Sequence, residues 1–495
     1  MKELYDLIIS LNKYEYDLIL YFYSTRMIPN SLKKKKILKL FRNEKKYNEL
    51  VLGKYFYNKK NDFDYDLLAK LKNDILNVIM IQESSKKLRA NQFVDSVEVK
   101  KALVFSDLLF RRGLIKFSNE ICNNGIELAL KNELYGEALA ILNYQRVTNV
   151  HFLGPKILET YREKVNNLHI LYSKTLNAIT ASNELTIRNI GEILVNEDYH
   201  SQVKDMLDSM KIDFESTNSS IIGFWYLRAK FNYYLKLQDF ENALKSSMDL
   251  LSIIENNRNL RSPVNIAGVN NQIGQAFLIN QDYNRGITFV EKSLSLFNSK
   301  LNNYLLSLQT LFLAHFHLKN FETCQEILDQ AFNHPKFREK KYTFTIWNYY
   351  KACLFFKFGH YKEAMACINQ DVTNLASDRG ELFFCHKVLF FQIQLETGKE
   401  FLWSYELTNF RKSMQSIKSL KMDRQRVIFR ILQSLDTQVF DFPYVRQREY
   451  AHFDKLELDQ YKWNPLGFEL IKFEDWFEMK QNSYDKRSRA KKPKS

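Results

Sequence analysis

Residues Asn271–Phe297 read NQIGQAFLINQDYNRGITFVEKSLSLF. The pattern predicts two helices joined by a tight turn at Asn280 to Asp282. The first helix carries Ile273, Gly274 and Phe277. The second carries Tyr283, Gly286, Phe289, Ser293 and Phe297. Small residues stand where the two helices must touch, and large ones fill the gaps beside them. Such a pair cannot cover its own apolar face, so it implies neighbours of the same kind.

The neighbours are visible on both sides. The turn recurs as Gln238-Asp239-Phe240, Gln281-Asp282-Tyr283, Lys319-Asn320-Phe321 and Gly359-His360-Tyr361. The small contact residues after these turns are Ala243, Gly286, Cys324 and Ala364, at spacings of 43, 38 and 40 residues. The set resembles the tetratricopeptide repeat (TPR), whose usual period is about 34 residues. The resemblance implies an all-α, right-handed α-solenoid of TPR-like hairpins, here with longer connections. It also implies a concave face lined by the first helix of each pair. Carried onto the matched repeats, that face consists of Arg228, Asn232 and Lys236, then Asn271 and Gln275, then Gln309 and His317, then Tyr349 and Lys357. Amides and cations of this kind can hydrogen-bond a peptide backbone or hold a carboxylate. The plainer alternative is the solvated side of amphipathic helices.

Composition agrees with long helices. Only 14 glycines and 7 prolines occur in 495 residues, too few for an all-β chain with many tight turns. The five cysteines are scattered, with no Cys-x-x-Cys, and read as reduced, buried apolar residues of a cytoplasmic protein. The amino-terminal apolar residues are interrupted by Asp6, Lys13, Glu15 and Asp17, which argues against a secretory leader or membrane span.

The net charge of +15 sits at the ends: +7 within residues 1–100 and +6 within 480–495. Two basic runs stand out. Lys33, Lys34, Lys35 and Lys36 open a helix that Ser31 is placed to cap, against the helix dipole. Lys486, Arg487, Arg489, Lys491, Lys492 and Lys494 lie in a tail expected to be disordered. Such ends could contact nucleic acid or a ribonucleoprotein, although a solvated, lysine-rich surface is the simpler account of them.

Four segments follow: a basic helical segment (1–97), the repeat array (98–440), an irregular, aromatic-rich C-terminal cap (441–480) and the basic tail (481–495). Leu7-Ile8-Ile9-Ser10-Leu11, Ile37-Leu38-Lys39-Leu40-Phe41 and Lys72-Asn73-Asp74-Ile75-Leu76 resemble the opening helices of an uncharacterised bacterial family of TPR-like proteins. No Gly-rich phosphate loop, GxSxG or HExxH occurs, and no cofactor or metal motif. His315 and His317, at i and i+2, face different sides of a helix and are poorly placed to share a metal. The expected function is a non-enzymatic scaffold or adaptor for a protein or peptide. Association with nucleic acid through the basic ends ranks second, and a peptide-sensing transcriptional regulator third. Partner identity and oligomeric state are left open by the sequence.

Overall fold

The computed structural model describes residues 1–25, 30–44, 46–57, 62–85, 93–149, 155–190, 197–335, 337, 341–369, 380–416, 423–458 and 461–490. Among them the fold is all-α, and the one β pairing is an isolated bridge between Tyr57 and Phe63. The chain divides into two compact units, Met1–Ala129 and Leu130–Ser495.

The first unit opens with α1 (Lys2–Ser10) and α2 (Lys13–Thr25). The break between them falls at Leu11 and Asn12. Asn12 and Glu15 form a reciprocal box in which each backbone N–H donates to the other's side chain, at 2.8 and 2.9 Å. Next come α3 (Ser31–Asn43), α4 (Glu49–Gly53), a 3-10 turn and α5 (Tyr65–Ser85). The cap of α3 is Asn30, in left-handed conformation, and not Ser31; its side chain makes no capping bond. Leu4, Ile8, Ile37, Phe41, Leu71 and Ile75 form the core. The Arg42 guanidinium satisfies the end of α1 by donating to the carbonyls of Ile8, Ile9 and Leu11. α6 (Phe93–Arg111) and α7 (Ile115–Lys131) follow. They touch through buried Ser106 and Ser118, each donating its hydroxyl to the other's carbonyl.

The second unit carries the array. α8 (Tyr135–Asn149) packs on α9 (Pro155–Ile190), one helix of 36 residues, which α10 (Glu197–Thr217) follows. Then come the hairpins α11 (Ser220–Lys236) with α12 (Phe240–Asn256), α13 (Pro263–Ile279) with α14 (Tyr283–Leu296), α15 (Asn302–His317) with α16 (Phe321–Phe332), and α17 (Lys341–Lys357) with α18 (Tyr361–Ile368). α19 (Gly380–Glu396) and α20 (Trp403–Ser416) repeat the plan. α21 (Asp423–Thr437), α22 (Phe442–Arg448), α23 (Tyr450–Leu456) and α24 (Phe473–Ala490) end it.

The repeat seen as letters is a repeat of backbone. Gln238, Gln281, Lys319, Gly359 and Gly398 all occupy the left-handed region, with φ between 55° and 76°. In each turn that residue's N–H returns to the carbonyl three residues back, and the next N–H to the carbonyl five back; Gln281 to Leu278 and Asp282 to Phe277 are one case. Within a hairpin the small residues fix the approach. A Cβ on Gly274 would fall 2.5 Å from Val290 Cγ2 and 3.1 Å from the Gly286 carbonyl oxygen. The region read as an irregular cap holds three helices, and α24 carries on through the start of the expected disordered tail to Ala490. Its first turns are anchored by buried Phe473, Trp476 and Phe477, from which the helix propagates. Residues 491–495 lie outside the described residues.

Gly274→Ala should destabilise the chain by about 1–3 kcal/mol through overpacking. Gly268→Ala, one and a half turns earlier on the same helix and with open space at its Cβ, should be neutral or stabilise by roughly 0.5–1 kcal/mol. Urea midpoints of the two variants check this, and equal midpoints would remove the close helix approach as the reason for Gly274.

Candidate functional site

The face to examine is carried by the first helices α11, α13, α15, α17 and α19. It has an open stretch and a filled stretch.

The open stretch is a cavity of about 340 Å³ between α11, α13 and the start of α15. Arg228, Asn232, Asn271, Gln272, Gln275 and Asn303 line it, with no Asp or Glu among the lining residues. The Arg228 guanidinium lies 5.4 Å from the Trp225 ring centre, and burial holds it below its ordinary pKa. Asn232 Nδ2 donates to Thr186 Oγ1 at 3.2 Å, and Gln275 Nε2 to Thr310 Oγ1 at 3.4 Å. Asn271 Oδ1 and Gln272 Oε1 are buried without a hydrogen-bond partner among the described residues. Four of the nine residues picked from the sequence therefore meet in one cavity. Lys236 is half-buried in the last turn of α11, outside the lining, and Lys357 is exposed at the end of α17.

The filled stretch holds the chain's own C-terminal segment. His317 Nε2 lies 2.9 Å from the Pro465 carbonyl oxygen. A carbonyl only accepts, so Nε2 carries the imidazole proton. The Trp463 ring meets His317 edge-on, 4.9 Å between centroids. Tyr349 Oη donates to the Phe468 carbonyl at 2.7 Å, and the Phe468 N–H donates to Glu381 Oε1 at 3.2 Å. Gln309 turns inward and donates to Tyr350 Oη at 2.8 Å. Three more residues read as partner contacts thus have partners within the fold, two of them on the C-terminal segment. Glu381, Trp463, Pro465 and Phe468 were missed by the sequence reading. The signal available was Pro465-Leu466-Gly467 among aromatics, a run that cannot continue a helix yet is too apolar for a solvated loop.

A buried ionic cluster pins the segment. Arg424, its side chain 8% exposed, forms paired bonds of 2.7 Å to both oxygens of Glu469. It also donates to Glu474 at 2.7 and 3.1 Å and to the Tyr461 carbonyl at 3.0 Å. Burial raises the Glu469 carboxyl pKa, and Arg424 opposes that shift.

The basic runs are less free than they read. Lys34 is buried, with Nζ 2.6 Å from Asp74, which also accepts from Tyr23 Oη. Lys33 lies 3.9 Å from Asp64, Lys35 donates to Ser24, and Lys36 sits over the Tyr55 ring. The lysines of this turn are thus spread over several partners, which offsets the unfavourable helix start. Lys486, Arg487 and Arg489 fall on the last turns of α24; Lys491, Lys492 and Lys494 lie outside the described residues.

Among the described residues no group of three His, Cys, Asp or Glu is arranged to hold a metal, and no helix is long and apolar enough to cross a membrane. Cys122, Cys324, Cys353 and Cys385 are buried thiols outside any disulfide, and burial lifts the Cys324 and Cys353 thiols to about 12. Such thiols are poor nucleophiles.

No family model matches the sequence, and no curated protein matches it. Two similar solved structures are TPR proteins. One is a signal transduction ATPase with numerous domains (STAND), carrying a tetratricopeptide repeat sensor, from Pyrococcus horikoshii. It is 14% identical with a TM-score of 0.41, over 88% of this chain and 66% of that one. The chain therefore spans a little under two thirds of that protein's length. The other is the TPR domain of P58(IPK), 11% identical with a TM-score of 0.21, over 79% of this chain and 99% of that one.

Burial holds both His317 and His386 down to about 4, so both are neutral in the fold at pH 7. The unfolded chain recovers an ordinary histidine pKa near ~6.5 and binds more protons below it. Stability should therefore fall as pH drops from about 6.5 towards 4, by on the order of 3 kcal/mol per histidine when complete. His317→Gln, which retains a donor, should remove about half of that fall in urea titrations between pH 7 and 4.5; an unchanged fall would clear His317. Arg424→Met leaves two buried carboxylates unpaired and should cost about 3–5 kcal/mol by the same assay.

Proposed function

We propose that this chain is a non-enzymatic scaffold or adaptor, which binds a protein or peptide along the first-helix face of its repeat array. The supporting observation is the open cavity, whose lining holds one cation, several side-chain amides and no carboxylate. Each amide offers both a donor and an acceptor, which suits the alternating groups of an extended peptide backbone. Arg228 adds a desolvated guanidinium that can take a carboxylate or a pair of carbonyls. The unpaired buried oxygens of Asn271 and Gln272 are left as acceptors for a ligand's N–H groups. Five cysteines held as thiols, four of them buried, are in keeping with a reducing, cytoplasmic setting.

The test is affinity capture from host lysate with the full chain, with and without nuclease, beside Arg228→Glu. A discrete protein should survive nuclease and fall at least about tenfold with Arg228→Glu, a loss of roughly 1.4 kcal/mol, while helicity by circular dichroism stays unchanged. Capture that vanishes with nuclease would overturn the adaptor reading and shift attention to the basic ends. Capture insensitive to Arg228→Glu would move the site away from this cavity.

A further inference from the structure

The segment from Trp463 to Phe468 has the features of a bound peptide. It is not helical, and it lies across several first helices in succession. Leu466 packs against the cluster of Phe231, Ala243, Ala276 and Ile279, on and between α11 to α13. Pro465 and Trp463 meet His317 on α15, and the Phe468 carbonyl meets Tyr349 on α17. The Phe468 N–H meets Glu381 on α19. The contacts divide as they do in peptide recognition. His317, Tyr349 and Glu381 bond to backbone groups, which any sequence supplies. Side chains of Trp463, Leu466 and Phe468 supply the selectivity. Gly467 is constrained as well: a Cβ there would fall 2.5 Å from Glu381 Oε1 and 3.1 Å from the Asn464 carbonyl oxygen. A turn of its own pre-shapes the segment, with the Leu466 N–H donating to Asn464 Oδ1 at 3.0 Å and the Gly467 N–H to the Asn464 carbonyl at 2.9 Å.

We infer that the face over α15, α17 and α19 is a binding site for extended segments of the type aromatic-x-Pro-Leu-Gly-aromatic, and that residues 463–468 occupy it in cis. The partner it fits is a polypeptide carrying a segment of the same chemistry, which must displace the internal one. A tethered occupant acts at an effective concentration of about millimolar, so a free competitor is held off until the internal segment is weakened or withdrawn. The inference rests on the first-helix face being a peptide receptor, and it names what the filled stretch takes.

The test uses the full chain and a labelled synthetic peptide with the sequence of Tyr461–Ile471, read by fluorescence anisotropy. Wild type should bind it weakly. Gly467→Ala substitutes only the internal segment, whose added methyl meets Glu381 Oε1 and the Asn464 carbonyl, and should bind the peptide at least tenfold more tightly. The triple variant Trp463→Ala, Leu466→Ala, Phe468→Ala should do the same, and serves if Gly467→Ala fails to fold. Adding Tyr349→Phe to either should weaken binding a further three- to tenfold. The inference is overturned if a folded variant, judged by circular dichroism and urea midpoint, binds no better than wild type. It is equally overturned if Tyr349→Phe leaves binding unchanged. A concentration-dependent dimer of the Gly467→Ala chain would identify the occupant as a second copy's segment and overturn a separate partner. Peptide binding without capture of any lysate protein would uphold this site and remove the adaptor reading. Capture that depends on Arg228 but no peptide binding would do the reverse.

Discussion

Each hairpin depends on a residue held in the left-handed backbone region at the helix reversal. Glycine reaches that region freely at Gly113, Gly359 and Gly398. Glu133, Gln238, Gln281 and Lys319 reach it against a steric cost of about 1–2 kcal/mol each. The cost is met because the geometry does two things together. It returns two N–H groups to the orphan carbonyls of the first helix, and it aims the second helix back along the first. Close packing at pairs such as Gly274 and Gly286 is possible only once that direction is set. Glu133 has a further task. Its carboxylate accepts from the Ser219 hydroxyl and from the N–H groups of Ser220 and Ile221, so this turn side chain caps α11 from far along the sequence.

These turns explain what was legible. A turn is local, its residues are adjacent, and its chemistry repeats, so four of them could be aligned by eye. The Asn12–Glu15 box that separates α1 from α2 is likewise local. The 36-residue helix α9 contains no turn, so no repeat signature falls within it, although it is the longest described helix of the array. At the candidate site, Arg228, Asn232, Asn271 and Gln275 were found because position within a repeat predicts which side of a helix they occupy. The C-terminal segment was not, because its contacts join residues far apart in the chain, such as Tyr349 with Phe468, 119 positions away. Composition marked that region as apolar without saying which surface it covers. The partner of Lys34 was hidden for a similar reason: Asp74 lies 40 residues away.

The first-helix face thus changes character along its length. Around the Arg228 cavity it is amide-rich and open. From α15 onwards it is aromatic and occupied. The two stretches call for different ligands: the first offers hydrogen bonds and one cation, the second offers shaped apolar contacts around a backbone that turns. Arg424, Glu469 and Glu474 keep this division stable, since the guanidinium fixes both ends of the segment's exit at once. A buried cluster of this kind specifies one arrangement more than it adds net stability.

The position of that segment in the chain has a consequence for biosynthesis. Translation is vectorial, and domains fold as they emerge. His317 and Tyr349 leave the ribosome long before Trp463 and Phe468 do. For that interval the apolar floor of the groove has no internal cover, although the hairpins beneath it are already complete. The nascent chain is therefore more adhesive than the finished one, and it is then that a chaperone or an early partner has first access to the face.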